Sequence, residues 1–131
     1  MDAMDETPTP GLTGASSARH VSGRIQLPPG ELPEEAASIL VAVEDVSRAD
    51  APSIVVGEQR LEHVPLAGDD IPFEVEVPEE LVQARARYTV RVHVDMTGTG
   101  IVEHGDLVST QSHPVLTVGS PDEAVVPVTS V

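Results

Sequence analysis

From Ile39 to Val131 the chain is a succession of short segments in which apolar and polar residues alternate, separated by Pro, Gly and acidic turn residues. The cleanest is Tyr88-Thr-Val-Arg-Val-His-Val-Asp-Met96. Tyr88, Val90, Val92, Val94 and Met96 share one parity, and Thr89, Arg91, His93 and Asp95 share the other. Successive side chains leave a strand on opposite sides, so this pattern demands a sheet with one buried and one wetted face. The same logic turns Ile39, Val41 and Val43 inward, and Phe73, Val75 and Val77 inward against Glu74 and Glu76. The expected core is Ile39, Val41, Val43, Phe73, Val75, Tyr88, Val90, Val92 and Val94.

Seven strands follow, over residues 20–27, 38–47, 53–62, 71–77, 88–96, 107–118 and 123–131. Leu32 to Ala37 has room for one helical turn, as does Glu79 to Gln83. Turn signals at spacings of about ten residues predict an all-β fold, a small antiparallel sandwich of two sheets rather than a barrel enclosing a ligand. Proline cannot donate to a ladder, so Pro72, Pro114 and Pro127 belong at edges or bulges, which blunts those edges against casual strand addition. Residues 1–19 carry Pro8, Pro10, Gly11, Gly14 and the small run Ala15-Ser-Ser-Ala18. They bury too little to offset their ordering entropy and are expected to be a disordered tail, leaving 20–131 as a single domain.

The charge excludes several functions. There are 22 acids against 7 bases, a formal net charge of -15, and every base is arginine. Nucleic-acid affinity comes from cations neutralising phosphates, and anionic membrane surfaces need the same cations, so neither is an expected partner. The absence of lysine and asparagine fits both high-GC codon usage and adaptation to a salty cytoplasm. The chain has no cysteine, which excludes disulfides, thiolate metal sites and a cysteine nucleophile. An acidic start and the lack of any long apolar stretch lead us to expect a soluble, cytoplasmic protein without membrane insertion, as a monomer.

One loop has the spacing of a metal site. In Asp95-Met-Thr-Gly-Thr-Gly-Ile-Val-Glu-His-Gly-Asp106, the residues Asp95, Thr97, Thr99, Gly100, Val102 and Asp106 fall at positions 1, 3, 5, 6, 8 and 12 of a calcium loop. Threonines replace two acids, Asp replaces the closing Glu, and the flanks are strands. A glycine-rich hairpin therefore accounts for the loop, with Asp95, Glu103 and Asp106 as weak candidate ligands. Of the five histidines, His93 and Asp95 share the wetted face of one strand and His104 lies in the adjoining loop. Zinc needs three or four convergent ligands, so His20, His63, His93, His104 and His113 are expected to be solvated surface residues.

No nucleophile elbow surrounds Ser47, Ser109 or Ser112, and a Walker loop is excluded without lysine. The pairs Glu34-Glu35, Asp69-Asp70 and Glu79-Glu80 fall in loops or turns, where carboxylates are solvated. One Phe, one Tyr and no Trp leave no platform for stacking sugars. No catalytic residue and no cofactor are expected.

Three segments in one order carry a family likeness: Val43-Glu-Asp-Val-Ser-Arg-Ala-Asp-Ala-Pro52, Ile71-Pro-Phe-Glu-Val75 and His113-Pro-Val-Leu-Thr-Val-Gly119. Arg87-Tyr-Thr-Val-Arg-Val92 lies between the last two, and Val21-Ser-Gly-Arg-Ile25 and Leu27-Pro-Pro-Gly30 precede them. Together they resemble the YbaY/YscW-like family, known for type III secretion lipoprotein chaperones (pilotins). The likeness covers about residues 20 to 131. It implies an all-β module of the cell envelope that binds a partner protein and has no catalytic residues. Pilotins escort an outer-membrane secretin and are anchored through a lipidated cysteine, which this chain lacks. The expected function is a non-catalytic soluble protein-interaction module linked to a secretion or envelope system, with an unidentified protein partner. The alternative is a small-ligand or cation-binding β domain using the 95–106 loop.

Overall fold

The structure is a computed structural model and describes residues 18–48, 50–67, 70–116 and 122–131. The elements run β1 (Ala18–Gln26), β2 (Glu35–Asp45), β3 (Ile54–Pro65), β4 (Ile71–Pro78), a 3₁₀ turn (Glu79–Leu81), β5 (Tyr88–Asp95), β6 (Leu107–Ser109), β7 (Pro114–Val115) and β8 (Glu123–Ser130). The fold is all-β, and no described helix is long and apolar enough to cross a membrane.

Hydrogen-bonded neighbours follow the order β3-β2-β5-β6-β8-β1-β4, with β7 added beside β5. The two layers of the expected sandwich are present, but one strand belongs to both. Glu123 to Pro127 of β8 pairs with Ser22 to Gln26 of β1, whereas Val128 to Ser130 pairs with Leu107 to Ser109 of β6. The handover falls at Pro127, a residue that cannot donate to a ladder. The β8–β1 pairing is parallel, which corrects the purely antiparallel expectation. A parallel pair needs a long crossover, and β8 reaches β1 only after the whole intervening chain.

The free ends of this order, β3 and β4, approach each other, so the sheet is nearly closed and barrel-like. A Cβ placed on Gly57 of β3 would lie 2.7 Å from the Glu76 carbonyl of β4, so only glycine lets the strands cross this closely. The Glu74 N–H points away from β1 and donates to Gln59 Oε1 at 2.9 Å. By strand parity Pro72, Glu76 and Pro78 present the same edge, and two of these three have no N–H to offer. The proline-blunted edge is therefore real at β4.

All nine expected core residues are buried, from Ile39 to Val94. Val21, Ile25, Val77, Leu107, Val115, Val126 and Val128 are among the residues that join them in the cluster. Three expectations need correction. Glu35 to Ala37 is strand, not a helical turn, because Glu35 pairs with Pro65 and Ala36 with Val64. The sixth strand is two short pieces, broken at Thr110 rather than only at Pro114. Ala18 and Arg19 of the expected tail open β1, with Arg19 Nη2 donating to Asp122 Oδ2 at 2.8 Å; the rest of that tail, residues 1–17, lies outside the described residues.

Candidate functional site

The loop joining β5 to β6 brings two of the three candidate carboxylates together. Ligand atoms of His93, Asp95 and Asp106 all lie within 4.8 Å of one another. Asp95 and Asp106 are buried, at 3% and 1% exposure. Glu103 is not part of the group: it is exposed, and its Oε1 accepts from Thr97 Oγ1 at 2.9 Å. Strand parity put His93 and Asp95 on a wetted face, and this is corrected. The loop and the stretch after β6 fold back over those positions, so parity describes the strand but not what covers it.

The buried carboxylates are held by the loop's own backbone. Asp95 Oδ1 accepts from the N–H of Gly98 at 2.8 Å and of Thr97 at 3.3 Å, and Oδ2 accepts from Gly100 at 2.7 Å. Asp106 Oδ1 accepts from the Met96 N–H at 3.0 Å. Its Oδ2 takes the Glu103 N–H at 3.0 Å and lies 2.9 Å from His93 Nε2. Positive φ at Gly98 and Gly100, +83° and +80°, aims these amides inward. Thr99, at a ligand position of the calcium spacing, is tied instead to Ile101. The arrangement is a latch that closes a hairpin by satisfying five backbone donors with two side chains.

Burial alone pushes the Asp95 carboxyl up. The N–H groups of Gly100, Gly98 and Thr97 outweigh it, so the group stays below the usual carboxylate range despite the opposing charge of Asp106. For Asp106, burial again raises, while the His93 bond and the Met96 and Glu103 amides bring the carboxyl below its ordinary value. Both side chains are therefore anionic acceptors at neutral pH. His113 departs from the expected solvated surface as well. Its Nε2 is buried without a hydrogen-bond partner, and desolvation holds its pKa below the ordinary value. His20 and His63 face Glu74 and Glu35 across exposed pairs of 3.3 and 3.7 Å, and His104 is exposed.

The remaining concavities are open grooves. One, of about 850 Å³, lies at one end of the sandwich between the Leu27–Gly30 turn, Leu66 and Pro127. A second, of about 650 Å³, runs along the outer side of β5 beneath residues 109–112. There the ladder is patched by side chains: Val92 N–H donates to Ser109 Oγ at 2.9 Å, and His113 N–H to Thr89 Oγ1 at 2.8 Å. At the opposite end of β5 a smaller hollow of about 310 Å³ lies between Arg48, Arg85, Ile54 and Pro52.

The sequence and the fold match known proteins. The family model for the type III secretion system lipoprotein chaperone (YscW) matches residues 16–128. The chain belongs to the YscW family. A solved relative in shape, an alternative pilotin from the type II secretion system of Vibrio cholerae, superposes with a TM-score of 0.75 at 19% identity, covering 88% of this chain and 98% of that one. At that identity the likeness concerns the YscW-type fold. No curated protein matches the sequence. Residue by residue, sequence reasoning found Asp95 and Asp106 of the latch but set His93 on the wrong side. It did not find the arginine-lined hollow, because Arg48 and Arg85 come from separate loops and share no motif.

Proposed function

We propose that this YscW-family chain is a non-catalytic binding module of a secretion system, escorting a partner protein in the manner of a chaperone or pilotin, with a secretin subunit as the partner class. One observation carries the reading: the family match extends over almost the entire described β domain, including both layers and the strand they share. The chemistry agrees. The buried ionisable groups of the 93–106 cluster have their oxygens occupied by amides of the same loop, so they hold the fold rather than wait for a substrate. In cells that make the chain, its loss is expected to reduce the amount of assembled secretin, and re-supplying it to restore the assembly. Unchanged secretin assembly would contradict the reading.

The alternative of a cation-binding loop loses ground to the same geometry. Calcium requires six to eight outward oxygens, and here the two buried carboxylates point into backbone amides. Calorimetry is expected to find calcium affinity no tighter than about millimolar, the weak end of calcium modules. Micromolar binding abolished by Asp95→Ala would promote the alternative.

A further inference from the structure

Two connections turn at the same end of the sandwich. β1 stops at Gln26 and β2 starts at Glu35, while β3 stops at Pro65 and β4 starts at Ile71. Glu35 faces Pro65 across β2 and β3, and Ile25 faces Ile71 across β1 and β4. The layers part there, because β8 leaves β1 at Pro127 and runs beside β6 from Val128. The groove of about 850 Å³ opens at this parting. Among its lining residues Leu66 is buried, and Leu27 and Leu32 are half-buried against the core. Pro28, Pro29 and Pro127 line it as well, and their fixed φ leaves little backbone freedom to lose when a partner docks. The Leu66 N–H donates to the Glu34 carbonyl at 2.8 Å, which ties the two connections together.

The charges around this groove are acidic. Asp70 lines it, Glu31 stands between the lining residues Gly30 and Leu32, and Glu34 is held against Leu66; all three are exposed. Glu35 follows at the start of β2. Against them stand Arg24, 3.9 Å from Asp70, and His63, 3.7 Å from Glu35. Each of these bases already sits on an acid, and the next cation along β3, Arg60, lies in mid-strand opposite Leu40. The β5–β6 loop, joined to the end of β8 through Val131, adds exposed Glu103 and His104. Glu31 and Glu34 are left without an ion-pair partner among the described residues. Other grooves are lined by Arg91, or by Arg48 and Arg85. Among the described residues this one is lined by a carboxylate and by no base.

We propose that the groove between Leu27, Leu32 and Leu66 is the docking surface for a basic segment of the partner protein, a stretch in which apolar residues are flanked by lysine or arginine. This rests on the partner-binding reading above and names the chemistry of the partner. The apolar residues enter between the leucines, where burial supplies affinity. The flanking cations meet Glu31, Glu34 and Asp70, which steer the encounter and set its orientation. A second copy of this chain brings a net charge of -15 to the same acids, and the chain's own start, Met1-Asp-Ala-Met-Asp-Glu6, is acidic too. Both are the poorer fit, as is an anionic membrane.

The test is fluorescence anisotropy on the full chain with a short labelled peptide of alternating Lys and Leu, beside a Lys/Ser peptide of equal charge. The Lys/Leu peptide is expected to bind, more weakly as salt is raised, and the Lys/Ser peptide to bind at least tenfold more weakly. Glu31→Lys with Glu34→Lys is expected to weaken Lys/Leu binding at least tenfold while the circular dichroism spectrum stays unchanged. Asp70→Asn, a change of charge without a change of shape, is expected to weaken it about threefold. Glu79→Lys with Glu80→Lys makes the same change of charge on the exposed 3₁₀ turn at the far end of β4, and is expected to leave binding within twofold. Equal weakening by the two double variants would show general attraction to an acidic protein and overturn the proposal, as would equal binding of the Lys/Ser peptide. Binding that appears only after residues 1–17 are removed would assign the groove to the chain's own start, and self-association abolished by Glu31→Lys with Glu34→Lys would assign it to a second copy; either overturns the proposal. A secretin subunit that binds this double variant as well as the native chain would refute the surface and leave the functional reading standing. A secretin that does not bind at all, beside intact peptide docking, would refute that reading and leave the surface.

Discussion

At the scale of single residues the chain concentrates its polar order in one loop. Asp106 accepts from two backbone amides and faces His93, and Asp95 accepts from three amides. Asp106→Ala leaves two of those donors without their acceptor in a buried place, a loss of about 1–3 kcal/mol in chemical denaturation. The same groups set the acid limb of stability. Both carboxyls bind protons less readily folded than unfolded. Their stabilisation is complete above the unfolded carboxylate value of about 3.9 and fades as pH falls through the lower folded values. His113 acts earlier. Desolvation depresses its folded pKa, so the unfolded chain takes up the proton first and stability begins to decline as pH drops below about 6.5. Unfolding measured against pH is expected to show two stages, and His113→Gln to remove the upper one.

At the scale of elements, what was legible in the sequence is what depends on parity. Residues 88–95 and 71–77 alternate in sequence because each strand has one face on the core, and Phe73, Val75, Val77, Tyr88, Val90, Val92 and Val94 are buried as the alternation predicts, while Thr89 and Asp95 are buried against it. What was not legible depends on partners distant in sequence. Nothing in Glu123 to Ser130 says that its first half lies parallel to β1 and its second antiparallel to β6. Thr89 and His93 read as wetted because the residues that cover them lie more than ten positions downstream, and Asp95 because the loop that follows it turns its amides back onto the carboxylate. The glycine at 23 was equally silent. A Cβ there would overlap the Ala124 carbonyl and stand 2.9 Å from the Phe73 ring, because β1 and β8 meet over that ring. Gly23→Ala is expected to cost about 1–3 kcal/mol from overpacking. A neutral result in thermal melting would mean that β8 moves away freely, and that the shared strand is a weaker joint than described here.

At the scale of the molecule, a chain with one Phe, one Tyr and no Trp fills its core mainly with valine. Phe73, 4% exposed, and Tyr88, 1% exposed, are its two buried rings, and Phe73→Ala is expected to lose about 3–5 kcal/mol. The net charge of -15 opposes the compact state by self-repulsion, which salt screens. The melting temperature should therefore rise from dilute buffer to molar NaCl; a flat response would mean that the acids are too widely spaced to repel. The central claim is that this molecule binds rather than catalyses, and titration calorimetry with the purified secretin subunit of the same organism tests it most directly. Saturable binding to the folded chain at micromolar affinity or tighter is the predicted result; no heat of binding at any accessible concentration, with both proteins folded, would contradict it.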